Sequence, residues 1–183
     1  FDIRFGKYSR DGFMFLSKAG TVIDVGKSTT TDHIGSVNTS FTDGLAGADT
    51  DDSKAGLGTI IAYAEGVWDK AYHNITTNTG LDGKSSEVKV HIPLTMTARE
   101  GIAYLGENSG KISVGNVETK ATGRKSLIAF AKNKGAVDIS GNITADDSGV
   151  TTSKEDKYKN IGAYAKASGA DTTVTINGNA TIN

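Results

Sequence analysis

Residues 67–74, Val67-Trp-Asp-Lys-Ala-Tyr-His-Asn, gather the side chains best suited to recognition, including Trp68, the only tryptophan of the chain. An indole close to a phenol offers flat apolar faces that can stack on a sugar ring or anchor a protein contact. Asp69, Lys70, His73 and Asn74 would supply a polar rim. Trp68, Tyr72 and His73 are therefore the expected ligand contacts. A structural role competes, in which Trp68 and Tyr72 plug the edge of a stacked core beneath an insertion.

Other groupings lead away from catalysis. Gly26-Lys27-Ser28 ends like a phosphate-binding loop, but that motif needs a glycine where Thr21 stands; Gly83-Lys84-Ser85 fails in the same way at Asn78. Both read as turns. Asp49-Thr-Asp-Asp-Ser lacks the glycine and the distal glutamate of a calcium loop, and reads as a solvated loop. His33, His73 and His91 show no metal-ligand spacing. No Gly-x-Ser-x-Gly elbow is present. The sequons at Asn38, Asn74, Asn142 and Asn179 are unsurprising in so Thr- and Asn-rich a chain. No catalytic, metal or cofactor-binding residue is expected.

Composition narrows the partners. With 20 basic and 21 acidic residues interspersed, the net charge is -1, which points to neither nucleic acid nor an anionic membrane. Apolar stretches such as 127–131 fall far short of the ~20 residues of a spanning helix. The absence of cysteine excludes a disulfide framework and thiolate metal sites. It suits the cytosol, and equally an export route through an oxidising periplasm in the unfolded state. The 183 residues begin at Phe1 and stop within a repeat at Thr181-Ile-Asn, so a segment of a longer chain is expected.

The elements that must carry these residues are written in a repeat. Gly-Ile-Ala-Tyr-Leu (101–105), Leu-Ile-Ala-Phe-Ala (127–131) and Ile-Gly-Ala-Tyr-Ala (161–165) recur, with degraded copies at 60–64 and 13–16. An alternating stretch follows most copies, as in Val137-Asp-Ile-Ser and Val174-Thr-Ile-Asn. Alternation over so few residues gives a half-buried strand. The Gly-Asn steps at Gly115, Gly141 and Gly178 are expected turns, because both residue types tolerate positive φ. Strands this short are unstable alone but pair when stacked in layers ~4.8 Å apart. Recurrence at roughly 20–50 residues therefore predicts an all-β parallel β-helix of about six or seven coils over 1–183. Longer irregular insertions are expected around 28–58 and 67–97. A β-propeller is disfavoured because the step from Tyr104 to Phe130 is too short for a four-stranded blade.

Ile112, Val114, Val137, Ile139, Val174 and Ile176 alternate with polar partners and are expected inside. Phe15, Tyr63, Tyr104, Phe130 and Tyr164 form a column with two readings. Strict alternation puts Tyr63 with Glu65, Phe130 with Lys132 and Tyr164 with Lys166, on an outward face. A bend at the corner would instead turn the rings into the core.

The blocks Leu-Ile-Ala-Phe-Ala-Lys-Asn-Lys-Gly-Ala-Val-Asp-Ile-Ser-Gly-Asn-Ile (127–143) and Ile-Gly-Ala-Tyr-Ala-Lys-Ala-Ser-Gly with Val-Thr-Ile-Asn-Gly-Asn-Ala-Thr-Ile (161–182) resemble the passenger repeats of large type V autotransporters, most closely the giant outer-membrane adhesins of fusobacteria. The resemblance implies a right-handed β-helix on the cell surface, anchored in the outer membrane through a C-terminal β-barrel that lies outside this segment. It implies attachment to a host-cell surface protein or glycan, or to another bacterial surface. No binding residue carries over, since the repeats are scaffold. A polysaccharide lyase or hydrolase is the alternative, because many such enzymes use this fold, and a purely structural stalk is another. An enzyme would need clustered carboxylates and a basic residue in a cleft, whereas Arg4, Arg10, Arg99 and Arg124 are scattered.

Overall fold

The computed structural model describes residues 13–26, 37–39, 60–66, 83–96, 101–122, 126–146, 161–166 and 171–183. Every element among them is a strand. The chain runs through β1 (Phe13–Lys18), β2 (Val22–Val25) and β3 (Val37–Thr39), then β4 (Ile60–Glu65), β5 (Glu87–Val90) and β6 (Leu94–Met96). It continues through β7 (Ile102–Glu107), β8 (Lys111–Val114), β9 (Thr119–Ala121), β10 (Leu127–Lys132), β11 (Ala136–Ile139) and β12 (Ile143–Ala145). The last three are β13 (Ile161–Lys166), β14 (Thr173–Ile176) and β15 (Ala180–Ile182).

Three parallel sheets result, each of five strands: β1-β4-β7-β10-β13, β2-β5-β8-β11-β14 and β3-β6-β9-β12-β15. Each turn of the chain contributes one strand to every sheet, in the same order, which is the arrangement of a parallel β-helix. Pairing continues through the corners: the Gly115 amide donates to the Val90 carbonyl, Ser140 to Val114 and Asn177 to Ile139, each at 2.9 Å. Short strands thus belong to ladders that pass around the bends, which satisfies backbone groups that would otherwise be orphaned.

The described residues form five coils rather than six or seven. β1 pairs directly with β4, and β4 with β7, so each long step holds one coil. β5 and β6, which complete the second coil, lie within the departure expected around 67–97. The corner between them, His91-Ile92-Pro93, carries no Gly-Asn step and so concealed the repeat. Likewise β3 lies within the departure expected around 28–58.

The interior is built as columns. Ile23, Val88, Ile112, Val137 and Val174 stand in register, as do Val25, Val90, Val114, Ile139 and Ile176. Ile112, Val114, Val137 and Ile139 are buried, and Val174 and Ile176 in the last coil pack against the same core. The alternation seen in the sequence is the alternation of side chains across a pleated strand.

The corners differ from expectation. None of the glycines of the Gly-Asn steps has positive φ; left-handed pairs stand instead at the bend between the first and second sheets, Ala19 and Gly20, Asn108 and Ser109, and Asn133 and Lys134, and Gly66, Gly83 and Asp171 between the same sheets are left-handed too. There the Gly110 amide closes onto the Glu107 carbonyl at 2.8 Å and Gly135 onto Lys132 at 2.9 Å, which makes tight four-residue turns. Gly141 and Gly178 are required for a different reason. A Cβ on Gly141 would run into the backbone of Val117, and one on Gly178 into the Gly141 carbonyl. Close stacking of one coil on the next admits no side chain there. Gly26, in the rejected phosphate-loop motif, is a turn residue with φ 74°.

Candidate interaction surface

The aromatic column is two columns. Strand register places Phe15 and Tyr104 in one row with Ala62, Ala129 and Ala163. It places Tyr63, Phe130 and Tyr164 in the adjoining row with Leu16 and Leu105. Aligning the motifs by their aromatic residues therefore shifts the first and third copies by one position. Both sequence readings hold, each for a different row. Tyr104 is in the core and Phe15 packs on it, whereas Leu16, Tyr63, Leu105, Phe130 and Tyr164 lie outside the core cluster. Strict alternation breaks in β4, β7 and β10, where Ile61 and Ala62, Ala103 and Tyr104, and Ile128 and Ala129 are consecutive core residues. Beyond these pairs alternation resumes, with Ala64 and Ala131 in the core and the apolar row outside it.

This outward row is a ladder one rung, about 4.8 Å, per step. Its middle is shielded by its own members: Leu105, between Tyr63 and Phe130, is only 4% exposed. Of its other members, Tyr164 is 45% exposed and Leu16 38%. The Phe130 and Tyr164 rings stack with centroids 5.2 Å apart, and Phe13 and Tyr63 stack at 5.3 Å.

Two residues along each strand runs a charged row in the order Lys18, Glu65, Glu107, Lys132, Lys166. Lys18 Nζ meets Glu65 Oε2 at 2.7 Å, and Lys132 Nζ meets Glu107 Oε1 at 2.8 Å. Tyr63 donates its hydroxyl to Glu107 Oε2 at 2.9 Å, so both oxygens of that carboxylate are engaged. The hydrogen bond from Lys18 holds the Glu65 carboxyl below its usual range and raises the Lys18 ammonium above its own. Burial, then the hydrogen bond to Glu107, raises the Tyr63 phenol. Acid–base pairs join the first coil to the second and the third to the fourth, and Lys166 of the fifth follows Lys132 in the row.

The expected contacts Trp68, Tyr72 and His73 lie outside the described residues, as do His33 and the acidic stretch at Asp49. His91 is described and pairs with Asp24, Nε2 to Oδ1 at 3.1 Å. Among the described residues no three His, Cys, Asp or Glu side chains converge on one point, and no helix is long and apolar enough to cross a membrane. Sequence reasoning did not find the ion-paired row. Its signal was present as a charged residue two positions after the outward apolar residue in every copy, hidden in the first and third because Leu16 and Leu105, not the aromatics, hold that place.

The strand order and the stacked outer face define the class of molecule as a parallel β-helix with a side-chain ladder on one sheet. Compared with protein families, with curated proteins and with solved structures, the chain matches none.

Proposed function

We propose that this chain is a segment of a cell-surface adhesin, the β-helical passenger of a type V autotransporter, which attaches to a host-cell surface protein or glycan or to another bacterial surface. The observation that carries this reading is the outward ladder on the first sheet, where the stacked Phe130 and Tyr164 stand beside Lys132 and Lys166 on a rigid support. A rigid scaffold that holds side chains in a fixed row suits surface recognition, since little ordering entropy is lost on contact. The resemblance of 127–143 and 161–182 to autotransporter passenger repeats supports it independently. In this reading the segment is extracellular and reaches the outer membrane only through a β-barrel elsewhere in the parent chain. Trp68, Tyr72 and His73 remain proposed contacts of the same kind.

The test is attachment. Beads coated with the 183-residue chain are offered to epithelial cells and to other bacteria. Attachment above that of uncoated beads is the expected result. Equal retention on every surface would make the segment a stalk. Repeating the assay with Trp68→Ala and Tyr72→Ala together shows whether that pair belongs to the contact.

A further inference from the structure

We infer that Asn142 is an acceptor for N-linked glycosylation, modified on its side-chain amide, with the Thr144 hydroxyl completing the sequon. The inference stands apart from the attachment reading, because Asn142 lies at the corner that opens the third sheet and not on the ladder of the first. Asn142-Ile-Thr144 is one of four sequons. Those at Asn38 and Asn74 reach beyond the described residues, and Asn179-Ala-Thr181 repeats the pattern in register one coil on. The structure gives Asn142 features that spacing alone does not.

Alternation sets both polar residues outward. Ile143 and Ala145 are in the core, whereas Asn142 is exposed and Thr144 half-exposed. A sugar on Asn142 therefore enters solvent rather than the stack. The backbone here is held from both sides: the Thr119 amide donates to the Asn142 carbonyl and the Ile143 amide to the Asn179 carbonyl, each at 2.9 Å. Asn142 Oδ1 in turn accepts the Asn179 amide, also at 2.9 Å. With the oxygen so fixed, the NH2 group is the unengaged end of the side chain. Among the described residues neither it nor the Thr144 hydroxyl has a protein partner.

A purely structural stack of asparagines would look different. Each NH2 group would donate to the amide oxygen of the next asparagine. In the third coil, however, Glu118 holds the place beside Asn142, and the Asn142 oxygen takes a backbone amide instead. Replacing one N–H by a sugar leaves that oxygen, and so the tie to the fifth coil, untouched. A strand bonded to both neighbours cannot bend into an enzyme's cleft, so transfer belongs to the chain before its coils close. The amide nitrogen attacks the anomeric carbon of a sugar carried on a diphosphate. A C–N bond forms, the C–O bond to the diphosphate breaks with its electron pair leaving on oxygen, and the amide proton passes to a base of the transferring enzyme.

The test uses the chain isolated from the cells that make it. Trypsin releases 135–154, a peptide whose only asparagine is Asn142, and places Asn179 in a separate peptide, 167–183. Mass spectrometry should find 135–154 heavier by one or more sugars, and fragmentation should assign them to Asn142. Asn142→Asp, which keeps the acceptor oxygen, and Thr144→Ala should each abolish the added mass, while Thr144→Ser should retain it. Thermal melts of the glycosylated chain and of the variants should match that of the sugar-free chain. An unmodified Asn142, sugar on Asn179 alone, or sugar only on a Ser or Thr of 135–154 overturns the inference. So does added mass that persists in Thr144→Ala or disappears in Thr144→Ser, or a glycosylated chain that fails to fold.

Discussion

The hydroxyl of Tyr104 lies 2.7 Å from that of Thr119, both fully buried inside the third coil. Each is an exception in its column. Tyr104 stands between Ala62 and Ala129, whose small side chains leave room for its ring. Thr119 stands between Leu94 and Ile143, where an isobutyl or sec-butyl group would otherwise fill the space. The two polar groups satisfy one another across the core, and burial raises the Tyr104 phenol well above the usual range. Removing one partner should therefore cost more than removing both.

Thr119→Val, which preserves shape, is expected to destabilise the fold by about 1–3 kcal/mol because it strands the Tyr104 hydroxyl. Tyr104→Phe should act similarly on Thr119. The double variant should recover much of the loss. Denaturant titration of all four proteins completes the cycle, and strictly additive losses would show that the hydroxyls do not depend on each other.

Ile139 is fully buried in a column with Val114 and Ile176. Ile139→Ala should cost roughly 2–5 kcal/mol, from lost burial and the cavity left behind. A urea midpoint close to that of the parent would place the side chain on the surface.

Ser109 is held at φ 70°, where the first coil has Gly20 at φ 74°. Ser109→Gly should relieve backbone strain and raise stability by about 0.5–1 kcal/mol, the relief being partly offset by the greater freedom of glycine in the unfolded chain. A lower thermal midpoint for the variant would contradict this.

Gly141→Ala should do the opposite, because the new methyl meets the Val117 backbone and no side chain can swing aside. A loss of at least about 1–3 kcal/mol is expected from the forced separation of the coils. A neutral result in a denaturant titration would mean that the corner yields.

Acidification should act through Glu65. Its folded-state pKa is lowered from 4.5, chiefly by the hydrogen bond from Lys18. The pair's contribution is therefore present above about pH 4.5 and is lost as pH falls through the folded-state value. Lys18 is raised from 10.5, so the contribution is also lost at the alkaline end, as pH rises through the folded-state value of the lysine. Solvent screens both groups, and the contribution is at most about 1 kcal/mol. Glu65→Gln should be less stable than the parent at about pH 7, and the gap should close as pH falls through the folded-state value of Glu65. A gap that persists in acid would assign the effect to packing.

The fold was legible because its signal is local and repeated. Val137-Asp-Ile and Val174-Thr-Ile show which side chains face inward, and repetition shows that strands stack. Register was harder to read. Tyr104 and Tyr63 occupy matching places in their motifs yet adjacent rows in the sheet, and a one-residue shift exchanges inside for outside. The Gly-Asn corners were placed correctly as bends, but for a reason of φ that belongs to Asn108-Ser109 and Asn133-Lys134; the close approach of Gly141 to Val117 is a relation between coils that sequence spacing does not express. The ladder of Lys18, Glu65, Glu107 and Lys132 was invisible for the same cause, since its partners are distant in the chain and meet only when stacked. The surface at Phe130 and Tyr164 was half visible, in the charge that follows each ring.

Because the hydrogen bonds of all three sheets join coil to coil, they lie along the direction in which the stack grows. Tension applied end to end would load every interface between coils with the full force, as links in a chain are loaded. Added coils lengthen such a tether without strengthening it, and the coil with the least complete core sets the force at which it parts. A rope of this construction gives way by shedding one turn at a time, so reach and breaking strength are governed by different residues.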